Sequence, residues 1–313
     1  MHIALLLLET TLCGAVATSN LNPLLLSHHH GSRIGGFGAV YKVSDSTGQY
    51  ALKVEGIGEG IQVLKMEAFV LTELTKKGSR HFCKIEDKGR FGTFNYVVMT
   101  LVGKSLQDLR KEGPGQHMSM GTAISSSLQC LEALEDLHGI GYLHRDVKPG
   151  NYTIGRVELQ EQRKIYILDF GMCRKFTNEQ GIIRKPRAAA GFRGTVRYAP
   201  ISCHMQRELC RKDDVETWVY MAVELTTGNL PWKNVQDMNA VGEYKRKCRA
   251  PPFVNELFQG CPREYIEILT YVDSLKYYDA PNYQMCYQLM RKALVSMGVQ
   301  EFPYDWEKPG GMF

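Results

Sequence analysis

Apolar residues recur along this chain in two rhythms, and the change between them divides it. From Gly35 to Val54 the rhythm is short: Ala39-Val40-Tyr41-Lys42-Val43 and Tyr50-Ala51-Leu52-Lys53-Val54 flank Asp45-Ser46-Thr47-Gly48. Apolar, β-branched and aromatic residues around a turn-forming tetrapeptide predict two strands joined by a turn. Over residues 61–76 the spacing lengthens to a helical period, with Val63, Leu64, Phe69, Val70, Leu71 and Leu74 around Glu67. Strand signals return at Phe82 to Ile85 and at Phe94 to Met99. Beyond Gly103 helical stripes dominate. Ile124, Leu128, Leu131, Leu134 and Leu137 share one face ended by Gly139, and another apolar helix runs from Val215 to Leu225 toward Gly228. The pattern predicts an α+β chain with a small strand-rich lobe over 31–101 and a larger helical lobe over 102–302. An N-terminal extension at 1–30 and a tail at 303–313 flank them.

Composition narrows the setting. A chain of 313 residues is long enough for two lobes, each with its own core. Its net charge of +5 suits acidic or phosphorylated protein partners, and the chain has no concentrated basic stripe of the kind that binds nucleic acid. Nine scattered cysteines, without CxxC spacing, favour free thiols in a reducing, cytoplasmic compartment over a disulfide framework or zinc site. The start of the chain offers a rival reading. Leu5 to Leu8 and Ala15-Val16-Ala17 resemble a secretory leader, but Glu9 interrupts the apolar run and no Lys or Arg precedes it. The stretch is too short and polar for a membrane span. An N-terminal extension is the preferred reading, and His28-His29-His30 within it read as a solvated loop before a metal site.

Chemistry concentrates at His144-Arg145-Asp146-Val147-Lys148-Pro149-Gly150-Asn151 and, about twenty residues on, at Asp169-Phe170-Gly171. In this order the two segments outline a phosphoryl-transfer site. Asp146 is suited to orient or deprotonate an acceptor hydroxyl, and Lys148 to neutralise charge on the transferring group. Asn151 and Asp169 offer hard oxygen ligands of the kind Mg2+ prefers. Ile165-Tyr166-Ile167-Leu168 supplies the buried strand expected before Asp169. Upstream, Lys53 offers phosphate a point charge, and Glu67 on the following helix can pair with it and fix its direction. Arg145 points to an activation segment whose position matters. Between Gly171 and Gly194 the only hydroxyl is Thr177, among Arg174, Lys175, Arg184, Lys185, Arg187 and Arg193. That segment reads equally as a solvated basic loop or as a docking surface for acidic or pre-phosphorylated protein substrates.

Gly191-Phe192-Arg193-Gly194-Thr195-Val196-Arg197-Tyr198-Ala199 resembles the casein kinase I superfamily of protein kinases, and no Ala-Pro-Glu tripeptide follows it. Asp213-Asp214-Val215-Glu216 and Leu230-Pro231-Trp232 continue the likeness. Tyr96-Val97-Val98-Met99, Leu101-Val102-Gly103 and Tyr304-Asp305-Trp306-Glu307 look most like the tau-tubulin kinase branch. The resemblance spans about residues 35–307. It implies a bilobal protein kinase fold and a serine/threonine kinase that uses ATP and Mg2+ at an interlobe cleft; Lys148, two residues after Asp146, agrees with that specificity. By position Met99 matches the gatekeeper, and Thr100, Leu101 and Val102 match the hinge that holds adenine. Gly35, Gly36 and Gly38 match the phosphate-covering loop, with Val40 and Ala51 beside it. Thr195 matches the threonine that braces Asp146 and Lys148, Asp214 the residue that anchors the catalytic loop, and Arg197 an anion-site arginine. Gln236 stands where a lysine is expected beside Arg197 and Pro200 where serine is usual; aligned backward from Gly38, Arg33 falls where the first loop glycine is expected, or else the loop is one residue short. The altered glycine loop and the poor strand signal before it keep a second reading open: a kinase-shaped binding protein with weak or no catalysis. Intact Lys53, Asp146, Asn151 and Asp169 favour the enzyme.

Overall fold

The computed structural model describes residues 39–58 and 62–307. These fall into two compact units, one of residues 39–102 with 169–171, the other of 103–168 with 172–307. Gly35, Gly36 and Gly38 of the expected phosphate-covering loop lie outside the described residues.

The first unit is built on a four-stranded antiparallel sheet in the order β1-β2-β4-β3. Strands β1 (Ala39–Ser44) and β2 (Gln49–Gly56) close through an Asx turn in which Asp45 Oδ1 accepts the Thr47 and Gly48 N–H groups at 2.7 and 3.0 Å. Helix α1 (Leu64–Lys77) buries Leu64, Ala68, Leu71 and Leu74, and with them Glu67. Phe69, grouped from its spacing with that apolar face, is 48% exposed. No side chain of its own caps α1; Glu55 on β2 does, accepting the N–H groups of Val63 and Leu64 at 2.8 and 3.2 Å. The helix stops at Gly78, whose φ of 76° suits glycine. Strand β3 (Ile85–Phe91) begins where the predicted signal at Phe82 ends; Phe82 and Cys83 are buried in the preceding loop. Periodicity missed β3 because Ile-Glu-Asp-Lys-Gly-Arg-Phe is mostly polar and its strand identity comes from pairing with β4 (Phe94–Thr100).

The second unit is helical. Helix α2 (Leu106–Glu112) is capped by Ser105, whose side chain accepts the Asp108 N–H. Helix α3 (Met120–Gly139) is buried around most of its circumference, and α4 (Arg211–Thr227) packs on it with Trp218 donating to Ser127 O at 2.8 Å. Cys210 N–H donates to Asp213 at the start of α4, and Gly228 (φ 71°) ends the helix. Helices α5 (Met238–Lys247), α6 (Arg263–Ser274) and α7 (Tyr283–Ser296) follow, with α6 and α7 packed on each other and on α4 and α3 respectively. Short two-stranded ladders pair β5 (Tyr142–Leu143) with β8 (Arg174–Lys175), and β6 (Tyr152–Ile154) with β7 (Ile165–Ile167). Residues 304–307, placed in a tail by sequence, belong to this packing. Tyr304 is fully buried beneath Gln129 of α3, and Trp306 donates to Gln162 O at 2.9 Å. Among the described residues no helix is long and apolar enough to cross a membrane.

Candidate functional site

Strand alternation positions the first unit's charges. Lys53 lies on β2 between buried Leu52 and Val54, so its side chain leaves the face that they bury. Its Nζ reaches Glu67 Oε2 at 2.5 Å. Burial alone would lower the Lys53 pKa, but Glu67, with Asp169 and Glu55, outweighs it and holds the ammonium above its usual value. Burial pushes the Glu67 carboxyl up while Lys53 pulls it back. Cross-strand register sets Ala51 opposite Met99 and Val40 opposite Lys53. Met99 and Ala51 are buried, Val40 half-buried. Thr100 ends β4 and donates its N–H to Lys84 O at 3.0 Å. Leu101 and Val102 are half-buried, and their backbone groups make no hydrogen bond among the described residues. Asp169 completes this unit's set. Its φ of 63° is uncommon for a side chain other than glycine, and Gly171 N–H donates to its Oδ1 at 3.3 Å. Phe170 is buried, its ring 5.8 Å from Phe82.

In the second unit an irregular loop after β5 carries the other charges. Arg145 has φ 67°, and its Nε donates to Met172 O at 2.6 Å. Asp214, buried at the start of α4, accepts the His144 and Arg145 N–H groups at 2.8 and 2.9 Å and faces His138 Nε2 at 2.8 Å. Burial would raise the Asp214 pKa, but His138 and the His144 contacts outweigh it and hold the carboxyl below its ordinary value. His144 accepts the Asp146 N–H at Nδ1 and meets Leu168 O at Nε2, at 3.3 and 3.1 Å, which the Nε2–H tautomer satisfies together.

Asp146 then has each oxygen assigned. Thr195 Oγ1 donates to Oδ1 and Lys148 Nζ to Oδ2, both at 2.7 Å, and Lys148 also donates to Thr195 Oγ1 at 3.1 Å. Asn151 Nδ2 donates to the Asp146 carbonyl at 2.8 Å, leaving its amide oxygen as a hard donor. Leu168 N–H donates to Asn151 O at 2.8 Å, tying the end of β7 to this loop. Gly194 (φ 97°) is required where it stands, since a Cβ would lie 2.6 Å from Arg145 O.

The predicted residues thus separate by unit. Val40, Ala51, Lys53, Glu67, Met99, Thr100, Leu101, Val102 and Asp169 belong to the first, and Asp146, Lys148, Asn151 and Thr195 to the second. Arg197, matched by position to an anion site, is paired with buried Glu224 at 2.7 Å. The basic segment is partly neutralised: Arg174 and Arg187 both pair with Glu208, and Arg184 Nε donates to Thr177 O at 2.9 Å. Lys175 and Lys185 line a pocket with Arg184 and Tyr277 and have no partner among the described residues. Sequence reasoning missed Glu55, whose role depends on a helix start brought to it by folding.

The sequence matches known proteins over most of its length. Residues 31–290 match the protein kinase domain. The chain is similar to the serine/threonine-protein kinase spe-6 of Caenorhabditis elegans, with 39% identity over 280 residues covering 87% of this chain and 73% of that protein. It is also similar to casein kinase I homolog 2 of Saccharomyces cerevisiae, 32% identical over 71% of this chain and 41% of the yeast protein, so it spans less than half the length of that relative.

Proposed function

The chain belongs to the protein kinase family as a serine/threonine kinase of the casein kinase I superfamily, and we propose that it transfers the γ-phosphoryl group of ATP to serine and threonine hydroxyls of proteins. The observation that carries this reading is the closed set around Asp146, with Thr195, Lys148 and Asn151 each holding one of its groups. Asp146 aligns the acceptor hydroxyl and takes up its proton as the new P–O bond forms and the γ-phosphorus bond to the β,γ-bridging oxygen breaks, leaving ADP. Lys148, already 2.7 Å from Asp146, offers its ammonium to the charge that develops on the transferring group. Lys53, directed by Glu67, holds the phosphates that remain on the nucleotide. The backbone groups of Leu101 and Val102, which make no hydrogen bond among the described residues, suit adenine, with Met99 and Ala51 as the apolar wall. Asp169 of the first unit and Asn151 of the second each offer a hard oxygen that would suit Mg2+, an ion that would shield phosphate charge.

Finer assignments follow from the same residues. Tyr96-Val97-Val98-Met99 and Tyr304-Asp305-Trp306-Glu307 support a place near the tau-tubulin kinase branch. Lys175 and Lys185 support acidic or phosphorylated protein substrates, while Arg197, committed to Glu224, is less suited to receive them. The eight described cysteines are all free and seven are buried, which supports a reducing, cytoplasmic compartment. Labelled ATP, Mg2+ and a mixed peptide library test the reading beside Asp146→Asn. Label on serine and threonine above that variant's level is expected. Folded protein that transfers no more than the variant would instead favour the kinase-shaped binding protein that Arg33 and the altered glycine loop suggest.

A further inference from the structure

Lys245 is the one fully buried lysine among the described residues. It projects from α5, whose close approach is permitted by Gly242 one turn earlier, where a Cβ would stand 2.9 Å from His204. Lys245 Nζ donates to Val196 O and Ala199 O at 2.8 and 2.7 Å and meets His204 Nε2 at 3.2 Å. The rings of Tyr220 and Trp232 lie 5.3 and 5.2 Å from it. Burial pushes its pKa down to about 7 against the pull of Glu216, a sign of how much solvation the site withholds. Placing an ammonium here adds little to net stability compared with an apolar side chain of similar size. Its partners indicate what it does add.

Both carbonyls belong to the turn that begins at Thr195. Thr195 O accepts the N–H groups of Tyr198 and Ala199, each at 2.9 Å, and Trp232 Nε1 donates to Arg197 O at 2.8 Å. The carbonyls of residues 195, 196, 197 and 199 are therefore all engaged, two of them by Lys245. The same turn supplies Thr195 Oγ1 to Asp146 and Lys148. It lacks the Ala-Pro-Glu tripeptide that follows in most serine/threonine kinases; Ala199-Pro200-Ile201 stands there. We propose that Lys245 is a positioning residue for phosphoryl transfer, holding the 195–199 turn so that the Thr195 hydroxyl stays on Asp146 and Lys148. This role rests on the kinase reading above.

The test compares Lys245→Met, Thr195→Val and the double variant in steady-state transfer to one peptide substrate. Hydrogen exchange of the Tyr198 and Ala199 amides is measured alongside. Lys245→Met is expected to lower kcat about tenfold or more, as a misplaced catalytic group does, with KM for ATP within about twofold. The double variant should be no slower than Thr195→Val alone, and both amides should exchange faster in Lys245→Met than in the wild type. A folded Lys245→Met with wild-type kcat, or a double variant whose losses multiply, overturns the proposal. Should Lys245→Met fail to fold, Trp232→Phe removes the donor to Arg197 O and part of the ring beside Lys245; a smaller loss of kcat that disappears in the Thr195→Val background is expected, and no loss counts against the role. A wild type that transfers no phosphate overturns the kinase reading and this role with it. Unchanged exchange in an active enzyme rejects the Lys245 contacts alone.

Discussion

The two units hold their charges by different means. In the first, regular elements do most of the placing: β2 turns Lys53 outward, α1 brings Glu67 to meet it, and one ion pair fixes the direction. In the second, the key residues lie on irregular backbone, and side chains hold that backbone in place. Asp214 takes two consecutive N–H groups of the loop that carries Asp146, His144 ties that loop to Leu168, and Lys245 and Trp232 grip the turn that carries Thr195. A strand or helix sets direction through its period. A loop has no period, so its geometry must be imposed by groups that are themselves buried.

Substitutions can break that contrast, and the largest effect is expected in the loop. Asp146→Asn should lower kcat roughly 1,000-fold, within the range for loss of a general base, while thermal melting stays close to wild type. Lys53→Met should cut transfer about 100-fold, as loss of one preorganised charge does. It should also destabilise the chain by about 3 kcal/mol in urea titration, because Glu67 is left buried without its cation. A stable Lys53→Met would show that the first unit does not depend on the pair. Glu55→Ala removes the acceptor for two helix-start N–H groups and should cost about 1 kcal/mol by the same titration, with kcat falling less than for Lys53→Met.

A pH dependence gives one further test of the second unit. Burial, with Lys245 adding, holds His204 down to about 4 from its usual 6.5. Between those values the unfolded chain binds a proton that the folded chain refuses, so stability falls as pH drops from about 6.5 toward about 4. Urea midpoints across that window should slope less in His204→Gln than in the wild type. Equal slopes would show that His204 is not held neutral.

The legible part of the molecule follows the same division. Alternation around Lys53, the helical stripe around Glu67 and the stripe from Ile124 to Leu137 could be read from spacing because each faces a core. Phe69 was misassigned because a helical stripe has a width that spacing alone does not define, and β3 was missed because an edge strand of polar residues carries no apolar signal. Asp146, Lys148, Asn151 and Asp169 were legible as chemistry, since few residue types serve phosphate, metal and a hydroxyl proton together.

By itself, then, the sequence determined which groups this protein offers for the proposed phosphoryl transfer and on which elements several of them ride. The tertiary structure decided how those groups are held. Glu55 became a helix cap, Arg197 was committed to Glu224, residues 304–307 joined the helical unit, and Lys245 came to rest on two loop carbonyls 46 and 49 residues away in the chain. The physical reason is that hydrogen bonds and ion pairs gain their strength from burial, and burial arises only when segments distant in sequence pack together.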